Sequence, residues 1–287
     1  MQYPPRTDGV LFHYTTLDAL YGIVENRAVW ASHVYYLNDS NEIRTAAEEA
    51  LAVLDANQER ENPTKVKSFM FELMNWLVQL RDLPHYVFIF SVSEHSNLLS
   101  QWRAYTRHGS GVSIGFLKED LDRLAIANQM KLVKCIYDLL PRQEILLKIL
   151  VETIDEYFKA NPAIADDTVL EASNLSSYFE ARTESFLQCF CSIKDPAFRE
   201  EGEWRLISKH YPAYTDPRVK FRPGRTTLIP YIEVPIGESR PDGYLFEQVY
   251  PGTSPNFHLS YQATVAYLSN KHACRLIINP QSPWTER

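Results

Sequence analysis

The chain has 287 residues, enough to bury a sizeable core as one large domain or as a domain carrying a helical insertion. Hydrophobic residues make up 45% and charged residues 23%, the balance of an ordinary folded protein, which excludes disorder. The formal net charge of -7 argues against a broad phosphate-binding face and hence against duplex DNA as a default partner, and no apolar run approaches the roughly 20 residues that cross a bilayer.

In chain order, the run Val10-Leu11-Phe12-His13-Tyr14 reads as a strand. Thr15 or Thr16 caps a helix whose Leu17, Leu20, Ile23 and Val24 keep helical spacing, and Asn26 or Arg27 ends it. A second strand near residues 28–31 delivers the rings Trp30, Tyr35 and Tyr36. Turn chemistry over residues 37–42 starts another helix, with Asp39 or Ser40 as its cap. Helices are expected around 42–54 and 65–80, broken at Asn62-Pro63.

Residues 85–93, rich in aromatic and β-branched side chains, form the strongest strand pattern and belong at the centre of a sheet. Ser91 and Ser93 share one face near its end. Leu98 to Tyr105 reads as a short helix, Gly109-Ser110-Gly111 as a turn, and residues 112–116 and 132–137 as strands. From 141 to 193 helical periodicity takes over in two stretches separated by Asn161-Pro162, the pattern of a helical insertion. A Pro-rich aromatic stretch over 211–225 reads as a long loop above the site. Late strands at 226–234, 244–250 and 274–278 and a helix at 263–269 complete an α+β chain of mixed, mostly antiparallel sheets, taken as a single domain over 1–287.

The chemistry concentrates in Arg199-Glu200-Glu201-Gly202-Glu203-Trp204-Arg205. On an extended segment Glu201, Glu203 and Arg205 share a face. Two carboxylates so close repel, and one holds its proton towards neutral pH unless Arg205 or Lys194 compensates. The plainer alternative is an exposed strand end kept soluble by charge. Four scattered cysteines and no signal-like N-terminus suit a reducing cytoplasm. Cys189-x-Cys191 lacks the second ligand pair of a structural zinc site and reads as buried thiols, so no metal is expected. Phosphate loops, the serine nucleophile elbow and paired-histidine zinc motifs are absent.

Six blocks carry a family resemblance: His13-Tyr14-Thr15, Leu37-Asn38-Asp39, Ser91-Val92-Ser93, residues 97–105, Gly111 to Phe116, and Glu201-Gly202-Glu203-Trp204-Arg205. In that order they resemble the bacterial family labelled domain of unknown function 2971. More distantly, a strand-one His, a middle-strand Ser and a late-strand Glu resemble the ADP-ribosyltransferase fold.

That second resemblance implies a split, ADP-ribosyltransferase-like core holding NAD as substrate, with transfer of ADP-ribose to a protein or nucleic-acid acceptor, or to water. It implies Glu203 at the ribose, Glu201 on the acceptor and His13 on a ribose hydroxyl or the adenosine side as catalytic groups. Tyr14, Thr15, Tyr36, Asn38, Ser91, Ser93, Gln101, Trp102, Tyr105 and Arg205 would surround the dinucleotide, with Tyr35, Tyr36 and Tyr105 competing to stack nicotinamide. Similar bacterial proteins suggest a stress, toxin or phage-defence setting.

Alternatives stay open. His13 suits a satisfied interior histidine, Ser91 and Ser93 suit backbone bonding at a strand end, and Gln101, Trp102 and Tyr105 suit a packing face. At the level of function the alternatives are a non-catalytic nucleotide- or partner-binding module, or a nucleic-acid modifying factor in bacterial defence. The last would use a basic rim of Lys131, Lys134, Lys209, Arg218, Lys220, Arg222 and Arg225.

Overall fold

A computed structural model describes residues 8–38, 41–57, 62–106, 110–224, 226–236 and 242–278. It begins with β1 (Val10–Thr15), α1 (Leu17–Asn26) and β2 (Ala28–His33), a compact strand, helix, strand unit. The Thr16 hydroxyl accepts the Ala19 N–H at the start of α1, and Arg27 ends it in the left-handed conformation with φ 48°. Two long helices follow, α2 (Glu42–Asp55) and α3 (Thr64–Asp82), and then β3 (Phe88–Ser93), α4 (Leu99–Tyr105), β4 (Val112–Leu117), α5 (Lys118–Ala127) and β5 (Lys131–Lys134). The helices α6 (Leu139–Ala160), α7 (Ala172–Glu180) and α8 (Thr183–Phe190) precede β6 (Glu203–Ile207), β7 (Val219–Pro223), β8 (Leu228–Pro235), β9 (Phe246–Pro251), α9 (Phe257–Asn270) and β10 (Cys274–Ile277).

The sheet runs β10-β9-β4-β1-β3-β2-β8-β7, with β6 on β3 and β5 on β6. Every pairing of these strands among the described residues is antiparallel except β10 with β9, so the fold is α+β with a mixed, mostly antiparallel sheet. Alternation along β3 explains its central place. Phe88, Phe90 and Val92 enter a core with Leu20, Val24, Leu121 and Leu268, whereas Ile89 joins Ile207 and the helices α2, α3 and α6 to α8 on the opposite face. A strand buried on both sides needs the near-continuous apolar run seen in its sequence.

Four local readings change. The periodic stretch 175–190 is two helices, because Ala181 and Arg182 break the ladder between Glu180 and Thr183. Pro141 lies in the first turn of α6 and not ahead of it, a position where its missing N–H costs nothing. The stretch 211–225 contains β7, whose Val219 to Pro223 pair with Ile232 to Leu228. Residues 118–127 form a further helix, α5, and the strand expected at 132–137 instead runs from Lys131 to Lys134. The caps expected at Asp39 or Ser40, the turn residue Gly109 and Arg225 lie outside the described residues.

Candidate functional site

The site originates in how β3 shares its edges. Along one edge β6 pairs continuously, from Ile89↔Ile207 to Ser93↔Glu203. On the other edge β1 meets β3 only at Phe12↔Ser93, and β2 meets it only at Ser32↔Ile89 and His33↔Phe88. Between those pairings the edge of β3 around Ser91 is left open where β1 and β2 part. The helix α1, which joins those two strands, supplies Thr16, Asp18, Ala19, Gly22 and Ile23 to the wall of this opening. The result is a cavity of about 470 Å³, within the range of small-molecule sites.

His13 fills part of the broken ladder. The Ser208 N–H bonds to the Phe88 carbonyl, so even-numbered residues of β3 address β6 and the Ser91 carbonyl points the other way, into the opening. His13 Nδ1 takes that carbonyl at 2.9 Å. A carbonyl only accepts, so Nδ1 carries the proton and Nε2 keeps a lone pair. Burial lowers the His13 pKa to about 4, against a partial opposing effect of the Ser91 hydrogen bond, so the ring is neutral at pH 7. Its face packs on Phe90 at 4.5 Å between centroids. The Ser91 hydroxyl has no hydrogen-bond partner among the described residues.

At one end of the cavity is a buried charge network. The five N–H donors of Arg205 are all used: two on Glu42 at 2.6 and 2.7 Å, two on Glu203 at 3.0 Å and one on the Cys191 carbonyl at 2.8 Å. Lys194 Nζ bridges Glu201 and Glu203 and lies 4.9 Å from the centre of the Phe198 ring. Burial opposes ionisation of Glu203, but Arg205 and Lys194 outweigh it and hold the carboxyl at about 2. The repulsion expected between Glu201 and Glu203 is thus compensated by the two cations. For Glu42 burial wins over Arg205 and its pKa is raised. Counted formally, three carboxylates face two cations, leaving one excess negative charge beside the cavity.

The two glutamates meet by a different geometry from an even strand. Glu201 ends a 3₁₀ turn over Pro196–Glu201, Gly202 turns the chain with φ 51°, and Glu203 begins β6. A glycine suits that left-handed residue. The Ser93 hydroxyl holds the turn in place, donating to the Glu201 carbonyl at 2.6 Å and accepting the His95 N–H at 3.0 Å. Arg205 does lie on the Glu203 side, while Trp204 points away and donates to Glu94.

Trp30, Ser32 and Arg222 make another part of the wall aromatic and cationic, and Tyr36 and Asn38 line the cavity as well. Asn38 donates to the Tyr105 hydroxyl at 2.8 Å, joining the residue after the short 34–36 turn to the end of α4. Of the expected site residues, His13, Tyr14, Thr15, Tyr36, Asn38, Ser91, Tyr105, Glu203 and Arg205 line this cavity. Ser93, Gln101 and Glu201 line a smaller one of about 40 Å³ that shares His13, Tyr14, Ser91, Tyr105 and Glu203 with it.

Three placements limit what those residues can do. Trp102 lines neither cavity; its ring packs edge-on against Tyr14 at 5.0 Å and donates to Asn97. The Tyr14 hydroxyl is spent on the His95 carbonyl and the Leu98 N–H. Arg205 has no donor left for a diphosphate.

Glu42 and Arg222 are among the lining residues whose part in the site the sequence did not reveal. Glu42 sits at a helix start where an acid is ordinary, and only its bond to Arg205, 163 positions away, marks it. The thiols of Cys189 and Cys191 are buried and pushed up to about 11 and 12 by burial. Among the described residues there is no group of three His, Cys, Asp or Glu placed to hold a metal. Of the basic rim, Lys134, Lys209, Arg218 and Lys220 bond to Glu94, Gln129, Asp216 and Glu233. That reduces the rim's free charge. No described helix is long and apolar enough to cross a membrane.

Residues 101–206 match the family model described as Protein of unknown function (DUF2971). Over that stretch the chain is similar to this family. The matched segment carries Tyr105, Lys194, Glu203 and Arg205 of this cavity and Glu201 of its smaller neighbour, while Glu42 lies outside it. No curated protein and no solved structure matches the chain.

Proposed function

We propose that the cavity takes NAD as a substrate and that the protein cleaves the nicotinamide–ribose bond, passing ADP-ribose to a macromolecular acceptor or to water. The observation that carries this reading is one cavity lined by His13, Ser91 and Glu203 together. In the reaction the bond from ribose C1′ to the pyridinium nitrogen breaks, its electron pair leaves with nicotinamide, and the acceptor oxygen or nitrogen bonds to C1′ and loses its proton to water. Positive charge builds on the ribose in the transition state. Glu203, ionised at any pH above about 2, and the excess negative charge of its network stabilise that charge. In this reading the neutral His13 accepts a ribose hydroxyl at Nε2, and Ser91 of the same cavity wall supplies a second polar group.

A second reading, a nucleotide-binding module without turnover, draws on the saturation of Glu203. Three of the roughly four lone-pair positions of its carboxylate are already taken by Arg205 and Lys194. Purified protein incubated with NAD separates the two. Release of nicotinamide by the wild type, abolished in Glu203→Gln while circular dichroism stays native, is the expected result. NAD binding with no release in the presence of varied cell extracts would favour the module.

A further inference from the structure

We propose that Arg222, held by Ser32, forms a phosphate subsite of the cavity, so that the occupant is a phosphate-bearing nucleotide and not a bare nucleoside. The inference begins with an arginine that lacks an acid. Arg222 lies on β7, two strands from β2, yet its Nη2 donates to Ser32 Oγ of β2 at 3.1 Å. Strands are spaced about 4.8 Å apart, so the extended side chain crosses the face of β8 and meets the Ser32 side chain at the cavity wall. Along the way the guanidinium lies 6.0 Å from the centre of the Trp30 ring.

No carboxylate meets it among the described residues, and its Nε is buried without a hydrogen-bond partner. Arg205, by contrast, has all five donors filled. A buried N–H left unpaired is costly, and such a cost persists where a ligand supplies the partner. Burial also lowers the Arg222 pKa, the response of a cation missing its counter-charge. The planar fork of a guanidinium matches phosphate oxygens two at a time, and the exposed rings of Trp30, Tyr36 and Tyr105 offer a nucleotide apolar surface nearby.

The subsite rests on the cavity accepting a nucleotide, as the proposed function has it, but not on any bond being broken. The test titrates the full chain with ADP and with adenosine in a calorimeter. ADP is expected to bind at least tenfold more tightly, Arg222→Gln to remove that advantage, and adenosine to bind wild type and variant alike. Inorganic pyrophosphate should compete with ADP, and succinate should not. Equal affinity for ADP and adenosine, unchanged ADP affinity in the variant, absence of saturable ADP binding, or competition by succinate as strong as by pyrophosphate overturns the assignment.

If Arg222→Gln does not fold, the wild type still decides. ADP should protect Arg222 from phenylglyoxal in peptide mass spectra, and modification at an unchanged rate overturns the subsite. Nicotinamide release and ADP discrimination are separate readouts. ADP discrimination lost in Arg222→Gln without nicotinamide release by the wild type removes the enzyme and leaves the subsite. Release with ADP affinity untouched in that variant does the reverse.

Discussion

Arg205 is 1% exposed and carries a full charge, a combination tolerated only because every donor is met. Taking one member from a buried ion network leaves the others unpaired in a poor solvent, which costs about 3–5 kcal/mol. Arg205→Met should therefore destabilise the protein by about that amount, read as a lower urea midpoint with an unchanged slope. The variant would leave Glu42 and Glu203 facing each other with Lys194 as their remaining cation. A midpoint within error of wild type would mean that the network does not hold this part of the fold together.

At the scale of elements, α1 is both the connection between β1 and β2 and a wall of the cavity. Gly22 sits in the middle of that helix, lines the cavity and has open space where a side chain would go. A mid-helix glycine costs about 1 kcal/mol relative to alanine, so Gly22→Ala should raise stability by up to about that much. Gly22→Leu pushes a larger group into the same space. It should keep the fold, shown by an unchanged or higher melting temperature, while weakening ADP binding by tenfold or more. Unimpaired ADP binding in that variant would place the nucleotide elsewhere.

For the whole molecule, acid sensitivity follows from imidazoles kept neutral. Burial lowers both His13 and His33 to about 4. Between roughly 6.5, where the unfolded chain takes up a proton on each, and 4, where the folded chain does so, the unfolded state binds more protons. Stability therefore falls as pH falls through that window, by at most about 3 kcal/mol for each histidine. Glu203 adds to this lower down. Its stabilising contribution is complete above the ordinary glutamate pKa near 4.5 and is lost as pH falls towards 2. Urea titrations at pH 7 and pH 4.5 should show a clear loss for the wild type and a smaller one for His13→Gln. An equal loss in both would mean that His13 titrates normally in the folded chain.

Local pattern determined much of this architecture. Period-two and period-three-to-four spacing marked most strands and helices, capping chemistry narrowed the start of α1 to Thr15 or Thr16 and its stop to Asn26 or Arg27, and the continuous apolar run of β3 marked a strand central in its sheet. Those signals are local because backbone geometry is local. The single-helix reading of 175–190 failed for the same reason in reverse: the apolar period continues through Ala181 and Arg182 although the hydrogen-bond ladder does not. At the site, the chain's chemistry made His13, Ser91 and Glu203 legible one at a time, but not their meeting, which follows from two strands sharing a single edge of β3.

Only the tertiary structure decided the state of the charges. Whether Glu201 and Glu203 repel depended on Lys194 arriving between them and on Arg205 pairing with Glu203. Whether Arg205 or Arg222 is available to a ligand depended on Glu42 being close to one and on no carboxylate being close to the other. Coulomb interactions and desolvation act through space and not along the chain, so sequence names the ions while the fold assigns their partners.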